Sequence, residues 1–375
     1  MRRGPTWRAL PLEIATRSSD RRTAARWGSA FALRETVANR LEWTVEHAEG
    51  RPCVHFSTRL PRGSYLLWIP PGQGLYETQY PIEVRRDRAW KETCELAEEE
   101  APPLPPGMEP VDGVSAAKYW RFVPAGPFDV SGDRDSTQSP KRREAWIRVP
   151  EKGDEGLYVA RFEVTSAMYR AYLDDASWHG LAASFPHVPR QNGVASEETA
   201  YWRHGEQGYR PLPELTWWTD EMPVHSISWA DADDFCGWLT GRSGGGRWRF
   251  QLPTQDEWEK AARGPSGRFF PWGDAFDPTF CRSFESRTRE QQETMPEPIA
   301  LYPIDESPYG VRDLAGGMRE WTSSRLEGPA PWRITKGGSW AHGSGIARSA
   351  GLTANAPENV FPSLGFRIVA RRRGP

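Results

Sequence analysis

Glycine and proline interrupt this chain so often that little room is left for long helices or strands. Its 375 residues include 35 glycines and 34 prolines, and 19 tryptophans lie between these interruptions. Residues 270–274, with the sequence FPWGD, show the pattern clearly, because turn residues surround one large aromatic side chain. Each buried aromatic side chain removes a large apolar area from water. The sequence therefore predicts an α+β domain with short elements, an aromatic core and long surface loops.

An acidic and proline-rich stretch divides the chain. Residues 98–107 read EEEAPPLPPG, and such a run of prolines cannot join a central strand or the interior of a helix. We therefore predict a linker at 98–116 between an N-terminal module, 1–97, and a larger domain, 117–375. In the module Leu41, Trp43 and Val45 alternate with polar residues, which is typical of a strand with one buried face. The module is predicted to be a small antiparallel β domain.

Capping residues predict three short helices in the larger domain. Thr165 follows a strand-like stretch and is a candidate N-cap. Ser228 with Asp231, and Thr254 with Glu257, have the spacing of capping boxes, in which two side chains satisfy free backbone N–H groups. Apolar residues then follow at helical spacing and predict the buried faces, which are Trp229, Ala232, Cys236 and Leu239 in one helix and Trp258, Ala261 and Ala262 in the next.

Charge and cysteine usage argue against several classes of function. The formal net charge is -2, and basic residues are dispersed apart from RRR at 371–373, so we expect no nucleic-acid partner. No apolar stretch is long enough for a membrane span, and residues 1–11 lack the apolar core of a signal peptide, so we expect a cytoplasmic protein without membrane contact. The cysteines show no zinc-binding spacing and leave a disulfide open; they are Cys53, Cys94, Cys236 and Cys281.

Several short motifs of the larger domain resemble the formylglycine-generating enzyme, or sulfatase-modifying factor, family. They follow one another in the family's order across residues 119–370, so that together they are specific although each alone is weak. The motifs are FEVT at 162–165, PVHSISW at 223–229, LPTQDEWE at 252–259, FPWG at 270–273, DLAGGMREW at 313–321, GGSW at 337–340 and LGFR at 364–367. The resemblance implies a variant of the C-type lectin fold. The N-terminal module looks like those of family members linked to serine/threonine kinases.

The metal ligands of the family's enzymes can be looked for in this sequence. Enzymes of this family oxidise a substrate cysteine with copper bound by two cysteines between the GGSW and LGFR motifs, since thiolates suit Cu(I). This chain has no cysteine after Cys281, so we expect no copper. The related sulfoxide synthases bind iron through three histidines, and no HxxxH-type pair occurs here. His225 is predicted to be a hydrogen-bonded structural residue. We therefore predict a protein that is not an enzyme.

The resemblance also implies a structural calcium ion at one turn. Family members bind calcium there through side-chain oxygens at the two ends of the turn and backbone carbonyls between them. The corresponding residues are Asp313 and Glu320 at the ends and Gly316 and Met318 between. The family's first ligand is commonly Asn, which Asp313 replaces, and hard oxygen ligands suit calcium. A solvated acidic turn without a metal is the alternative.

Residues 341–363, which we call the contact segment, have an unusual composition. They contain no Lys, Gln, Met or Trp, and Glu358 is their single acid. The chain resembles the variable proteins of bacterial diversity-generating retroelements, which have this fold and are mutated at adenines between these same motifs. Asn codons mutated in this way encode every residue type of the contact segment except the glutamate. An ordinary divergent loop of small residues is the alternative.

The resemblance to variable proteins predicts that the contact segment binds a ligand, which we expect to be a protein. Exposed Leu352, Val360 and Phe361 make the predicted surface partly apolar, as protein-binding sites tend to be. The flanking scaffold is predicted to include Trp340, Arg348, Gly365, Phe366 and Arg367. The predicted ligand-binding residues are Ala341, His342, Gly343, Ser344, Ile346, Gly351, Leu352, Thr353, Ala354, Asn355, Val360, Phe361 and Ser363.

Two other functions are left open by the residues. One is a formylglycine-generating or related metal-dependent oxidase that takes its metal ligands from elsewhere in the chain. The other is a regulatory sensor domain that belongs to a serine/threonine kinase system, although the chain itself contains no kinase motif.

Overall fold

The computed structural model describes most of the larger domain and the strands of the N-terminal module. The described residues are 101–108, 119–124, 126–130, 156–178, 185–191, 195–243, 246–286 and 296–373, together with Tyr76 and the strands before residue 101 and at 143–147.

In the part of the chain that the structure describes, seven strands precede the predicted linker, and their pairings are antiparallel, as the sequence predicts. They form one sheet in the order β2-β1-β5-β6 and another in the order β3-β4-β7. The strands are β1 Glu13–Arg17, β2 Leu33–Thr36, β3 Trp43–Ala48, β4 Arg51–Phe56, β5 Gly63–Ile69, β6 Thr78–Val84 and β7 Cys94–Glu95.

The larger domain consists of short strands in small sheets. Its two four-stranded sheets have the orders β14-β19-β11-β8 and β17-β16-β15-β18, and β9 pairs with β10 and β12 with β13. The strands are β8 Trp120–Val123, β9 Gly126–Val130, β10 Arg143–Ile147, β11 Leu157–Ala160, β12 Trp202–Gly205, β13 Gly208–Pro211, β14 Trp248–Gln251, β15 Arg319–Arg325, β16 Arg333–Lys336, β17 Leu352–Asn355, β18 Leu364–Gly365 and β19 Val369–Arg372.

The second of these sheets positions the contact segment. β15 pairs antiparallel with β16 and parallel with β18, which lies directly after the contact segment. β17 pairs antiparallel with β16 and is the outer strand of the sheet. The contact segment therefore includes an edge strand, whereas the sequence predicts only a loop there.

The three α-helices of the described residues begin directly after the predicted capping residues. They are α1 Ser166–Leu173, α2 Trp229–Arg242 and α3 Gln255–Arg263. Thr165 accepts a hydrogen bond from the backbone N–H of Met168, and both predicted capping boxes are present. The predicted apolar faces of α2 and α3 are buried, except that Trp229 is half-buried. Among the described helices none is both long and apolar enough to cross a membrane.

The core is aromatic, as the composition predicts. Tyr169 of α1 stacks on Phe235 of α2 with ring centroids 5.9 Å apart, and the edge of Phe366 contacts Phe235 at 5.4 Å. Such offset and edge-to-face pairs add to the stabilisation from buried area. Tyr76, which precedes the predicted linker, is also part of this core. Its Oη donates to the carbonyl of Trp120 at 2.7 Å. The domain boundary at 98–116 stays a prediction.

Candidate functional site

The contact segment begins after a buried turn that admits only glycine. Gly337 has φ 76°, a left-handed conformation that favours glycine. A Cβ on Gly338 would lie 2.1 Å from the carbonyl oxygen of Ala315, which is closer than two such atoms can approach. Lys336 and Ser339 on either side are fully buried. The start of the contact segment is therefore fixed by close backbone packing.

The contact segment ends at a second close approach. A Cβ on Gly365 would lie 2.4 Å from the carbonyl oxygen of Val224. Two residues later the fully buried Arg367 donates from Nε to Glu320 Oε2 at 2.7 Å and from Nη2 to Oε1 at 2.8 Å. Although burial alone lowers it, the pKa of Arg367 is raised by the facing Glu320 carboxylate. We call Glu320, Gly337, Gly338, Gly365 and Arg367 the frame.

Between these two ends the contact segment is a loop at 341–351, strand β17 and a second loop at 356–363. Hydrogen bonds to neighbouring elements hold the first loop in place. Ser339 Oγ lies 2.5 Å from His342 Nδ1, and the N–H of Ser344 donates to Glu285 at 2.8 Å. The N–H of Ser349 donates to the carbonyl of Phe269 at 2.8 Å. Ala347 and Ser349 of this loop are buried, and its other residues are exposed or half-buried.

The predicted ligand-binding residues differ in exposure. Ala341 and Leu352 are exposed. Half-buried positions are His342, Gly343, Ser344, Ile346, Gly351, Thr353, Ala354, Asn355, Phe361 and Ser363. The structure therefore places all of the predicted residues except Val360 at exposed or half-buried positions, although the buried Ala347 and Ser349 lie among them.

Val360 is an exception, and its predicted exposure is wrong. Its side chain is only 3% exposed because the second loop folds inward at this residue. The neighbouring Phe361 is half-buried and packs against the main hydrophobic core. Of the three apolar residues predicted at the surface, Leu352, at 44% exposure, is the one that faces solvent.

Three of the four residues predicted to bind calcium lie in a tight buried turn. Asp313 has φ 56°, a region that Asn and Asp enter more readily than other residues with a side chain. Its Oδ2 accepts a hydrogen bond from the N–H of Ala300 at 2.7 Å. A Cβ on Gly316 would lie 2.5 Å from the carbonyl oxygen of Arg282, and Met318 is fully buried.

The fourth predicted ligand, Glu320, does not fit a calcium site in this arrangement. Both of its oxygens accept hydrogen bonds from Arg367, and Oε2 also accepts from Trp258 Nε1 at 2.7 Å. The guanidinium thus supplies the positive charge that a cation would otherwise supply. The family resemblance implied that Glu320 and Asp313 bind one ion, whereas the charged partner of Glu320 is Arg367, which follows the contact segment.

A small cavity beside Asp313 contains a different carboxylate. It has a volume of about 10 Å³ and is lined by Glu163, Pro223, Arg282, Glu297, Pro298, Ile299, Tyr302, Asp305, Asp313 and Gly317. Neither oxygen of the fully buried Glu163 has a hydrogen-bond partner, and Arg367 Nη2 is 4.0 Å from Oε2. Burial, followed by the charge of Asp313, raises the pKa of Glu163 well above its usual range. The same two causes raise the pKa of Asp305 to about 8.

Glu163 belongs to the FEVT motif, but the lack of a hydrogen-bond partner for its carboxylate is not predicted from the sequence. Not predicted either are Glu285, which fixes the loop, and Arg319, whose guanidinium donates to Thr335 Oγ1 at 2.9 Å below β17. The FEVT motif is a signal that points to Glu163, because an acidic residue flanked by buried apolar positions needs a partner. No such local signal marks the other two residues.

The described histidines and cysteines offer no soft-metal centre. His225 is buried, lies 3.0 Å from Ser226 Oγ and stacks on Trp218, and burial lowers its pKa to about 3. This hydrogen-bonded structural role is the predicted one. Cys236 and Cys281 are free and buried, and burial raises the pKa of both thiols. Within the described ranges no group of three or more His, Cys, Asp or Glu is arranged to hold a metal ion.

Comparison with curated proteins finds relatives of two kinds. The chain is 28% identical over 287 residues to "Inactive C-alpha-formylglycine-generating enzyme 2" of Mus musculus, which covers 68% of this chain and 86% of the relative. It is 26% identical over 322 residues to "Formylglycine-generating enzyme" of the same organism, which covers 73% of this chain and 79% of the relative. Because these identities differ little, activity has to be judged from the site residues.

Comparison with solved structures and family profiles agrees with the predicted fold. PvdO from Pseudomonas aeruginosa aligns with a TM-score of 0.51 and 17% identity, covering 67% of this chain and 93% of that protein. The fold is thus the predicted C-type-lectin-like α+β fold of the formylglycine-generating type. The profile of the "Sulfatase-modifying factor enzyme 1-like domain" matches residues 114–372. This chain therefore belongs to the sulfatase-modifying factor family.

Proposed function

We propose that this protein binds a ligand through the contact segment and does not transform it. The supporting observation is the contrast between a buried frame and an accessible segment that lies between its two ends. Binding proteins commonly present variable loops on a rigid scaffold in this way. The ligand is a protein on this proposal, since Leu352 and the half-buried Ile346 give the surface an apolar component.

The case against catalysis rests on the residues of the same segment. The family's copper is bound by two cysteines between the GGSW and LGFR motifs, and this chain has none there. His342, with Nδ1 beside Ser339 Oγ, is the one histidine of the contact segment, and a single imidazole does not provide a closed metal site.

We further propose that a retroelement diversifies the contact segment. The support is its amino-acid composition, which lacks Lys, Gln, Met and Trp and, apart from Glu358, matches the codons that adenine mutagenesis produces from Asn codons. The DNA around the gene tests this directly. We expect a near-copy of the coding segment that differs at adenines, beside a reverse transcriptase gene. A locus without either element would overturn diversification and leave ligand binding standing.

A binding screen tests the function itself. The full chain is used to select partners from a displayed peptide and protein library, and selected partners are measured again with a variant changed at Ala341, Leu352 and Thr353. These three positions are exposed or half-buried on the loop and on β17. We expect at least a tenfold loss of affinity, about 1.4 kcal/mol. A control variant, Leu301→Ser, alters an exposed apolar residue outside the contact segment and should bind as the unchanged chain does. Equal binding by all three proteins would contradict the proposed site.

An oxidase is the second candidate, because the mouse formylglycine-generating enzyme is nearly as similar to this chain as its inactive relative. It is tested by metal analysis of the purified protein, together with oxygen consumption in the presence of a peptide that carries a cysteine. Stoichiometric copper or iron with thiol-dependent oxygen uptake would replace the binding proposal.

The third candidate is a regulatory sensor domain of a serine/threonine kinase system. A kinase gene adjacent to this one, and a complex with that kinase formed through the N-terminal module, would favour it.

A further inference from the structure

We propose that the contact segment recognises an acidic side chain of its protein ligand, Asp or Glu, and that the Arg319 guanidinium binds the carboxylate of that side chain. This assignment rests on the proposed function and adds the chemistry of the ligand to it. Arg319 is the first residue of β15 and lies outside the contact segment. Three predicted ligand-binding residues, His342, Thr353 and Asn355, lie near it.

Arg319 is a buried cation without a counterion among the described residues. It is only 4% exposed, and its Nη2 donates to the carbonyl oxygen and to Oγ1 of Thr335, at 3.1 and 2.9 Å. Nε has no hydrogen-bond partner, and Nη1 donates to no described residue. Buried charges in proteins are normally paired, because a charge that has left water is stabilised only by an opposite charge and by hydrogen bonds. Arg319 therefore has hydrogen-bonding capacity left for an anion.

Two other buried arginines of the domain show what Arg319 lacks. Arg263 donates to Glu259 at 2.6 Å, and Arg367 donates to Glu320 at 2.7 Å. Against burial, which lowers it, the facing carboxylate raises the pKa of Arg367. Burial lowers the pKa of Arg319 to about 10, and no described carboxylate offsets this effect. At neutral pH Arg319 is thus still protonated, and its positive charge is unbalanced within the described residues.

Half-buried polar side chains of the contact segment surround the guanidinium. Thr353 Oγ1 lies 2.8 Å from Thr335 Oγ1, and Asn355 Nδ2 donates to the same oxygen at 3.4 Å. Both residues of β17 are therefore at most two hydrogen-bond lengths from Arg319 Nη2, and an amide has a second N–H to donate. Burial, followed by the charge of Arg319, lowers the pKa of the half-buried His342, so this imidazole is within electrostatic reach as well. A ligand that contacts these side chains comes close to the unbalanced charge.

A single carboxylate matches the charge of this site. A phosphate group carries almost two negative charges at neutral pH and is commonly bound by a cluster of arginines. Arg333 of the neighbouring strand is already engaged, since it stacks on the Trp229 ring at 3.6 Å and donates to the carbonyl of Ser323. One unbalanced guanidinium with N–H and O–H donors beside it is complementary to one carboxylate. A protein ligand supplies this group as Asp or Glu, together with apolar side chains that fit the exposed Leu352.

Small probes titrated into the full chain at constant ionic strength test the acid site. The probes are glutamate and aspartate blocked at both ends as N-acetyl methylamides, blocked glutamine as the neutral counterpart, and inorganic phosphate. Calorimetry gives the affinities, and thermal unfolding gives the rise in Tm that accompanies binding to the folded state. We expect the unchanged chain to bind a blocked acid at least tenfold more tightly than blocked glutamine. Tighter binding of phosphate than of either acid, or no preference for the acids over glutamine, would overturn the assignment.

Arg319→Gln removes the cation, and Arg333→Gln is its matched control. Arg319→Gln should weaken binding of the blocked acid at least tenfold. Arg333→Gln should bind the acid as the unchanged chain does, because this guanidinium is held by Trp229 and Ser323. Unaltered affinity of Arg319→Gln for the acid would show that the guanidinium is not the binding group.

Asn355→Asp supplies a carboxylate from the chain itself and keeps the shape of the side chain. The new carboxylate should pair with the Arg319 guanidinium, raise the Tm of the chain without ligand, and weaken binding of the blocked acid at least tenfold. This variant also decides the matter if Arg319→Gln does not fold. An unchanged Tm together with an unchanged affinity for the acid would contradict the position assigned to the site.

The proposed function and the acid site can fail separately. A selected protein partner that loses affinity on the changes at Ala341, Leu352 and Thr353, but not on Arg319→Gln, would support the function and overturn the acid site. Binding of a blocked acid that depends on Arg319, together with protein partners that no change in the contact segment weakens, would support Arg319 as an anion-binding residue and overturn the proposed function.

Discussion

The frame and the contact segment are close in sequence and differ in what their residues do. A Cβ on Gly338 of the frame would collide with backbone, whereas one on Gly345 of the contact segment would meet nothing within 4 Å. Lys336, which precedes the frame glycines, is fully buried and donates to Glu259 at 2.9 Å. The two ends of the segment are thus fixed by close backbone packing, whereas Ala347, Ser349 and Val360 are the buried residues of its interior and the other positions are exposed or half-buried.

The largest expected effect on stability comes from removing the buried ion pair of the frame. Arg367→Met removes the guanidinium and leaves the buried Glu320 carboxylate without its partner, which should lower the free energy of unfolding by about 3–5 kcal/mol. The matched change Arg348→Met removes a guanidinium of the contact segment that lies 5.1 Å from the Phe269 ring. It should cost less than about 1 kcal/mol. Urea unfolding measures both, and equal costs would contradict the separation of frame from segment.

The second prediction compares two glycines. Gly338→Ala should destabilise by roughly 2–3 kcal/mol, because its Cβ must displace the backbone at Ala315. Gly345→Ala should change the free energy of unfolding by less than about 0.5 kcal/mol, since the position is exposed and open. Thermal unfolding of the two variants side by side is the measurement. A tolerated alanine at 338 would show that the close approach is not required.

Local sequence signals predicted the parts of the fold that depend on local contacts. The capping residues Thr165, Ser228 and Thr254 each satisfy an N–H three residues away, so the sequence contains all the information needed to find them. The aromatic core also followed from composition. The order of the family motifs predicted the fold and the two ends of the contact segment.

Contacts between residues far apart in the sequence could not be predicted from local sequence signals. Glu320 and Arg367 are 47 residues apart, and the family resemblance placed the glutamate with Asp313 at a calcium ion instead. Val360 occurs in a segment of small residues and was predicted to be exposed, although packing against distant parts of the chain buries it. In both cases the deciding partner lies in another element, and neither periodicity nor spacing identifies it.

The third prediction compares two histidines through pH. Burial lowers the pKa of His225 to about 3 from 6.5, so its neutral form is favoured by folding. Its contribution is therefore complete above pH 6.5 and declines as the pH falls toward the folded pKa. Between neutral pH and about pH 4.5, the unchanged chain should lose about 2 kcal/mol more than His225→Phe.

His342 of the contact segment is the comparison for that experiment. Burial, followed by Arg319, lowers its pKa as well, but the side chain is half-exposed, so His342→Phe should alter the pH dependence much less. Unfolding free energies across the acid range measure both slopes. Equal slopes for the two variants would mean that His225 is no more deeply involved in the fold than a residue of the contact segment.

The smallest expected effect lies within the contact segment itself. Leu352→Thr changes an exposed residue at the edge strand to one that also favours strands, so stability should change by less than about 0.5 kcal/mol. Val360→Thr places a hydroxyl at a buried position and should cost about 1–2 kcal/mol. Denaturant unfolding measures both costs, and affinity for a selected partner should fall for the first variant but not for the second. If affinity fell for Val360→Thr and not for Leu352→Thr, Val360 would belong to the contact surface and Leu352 would not.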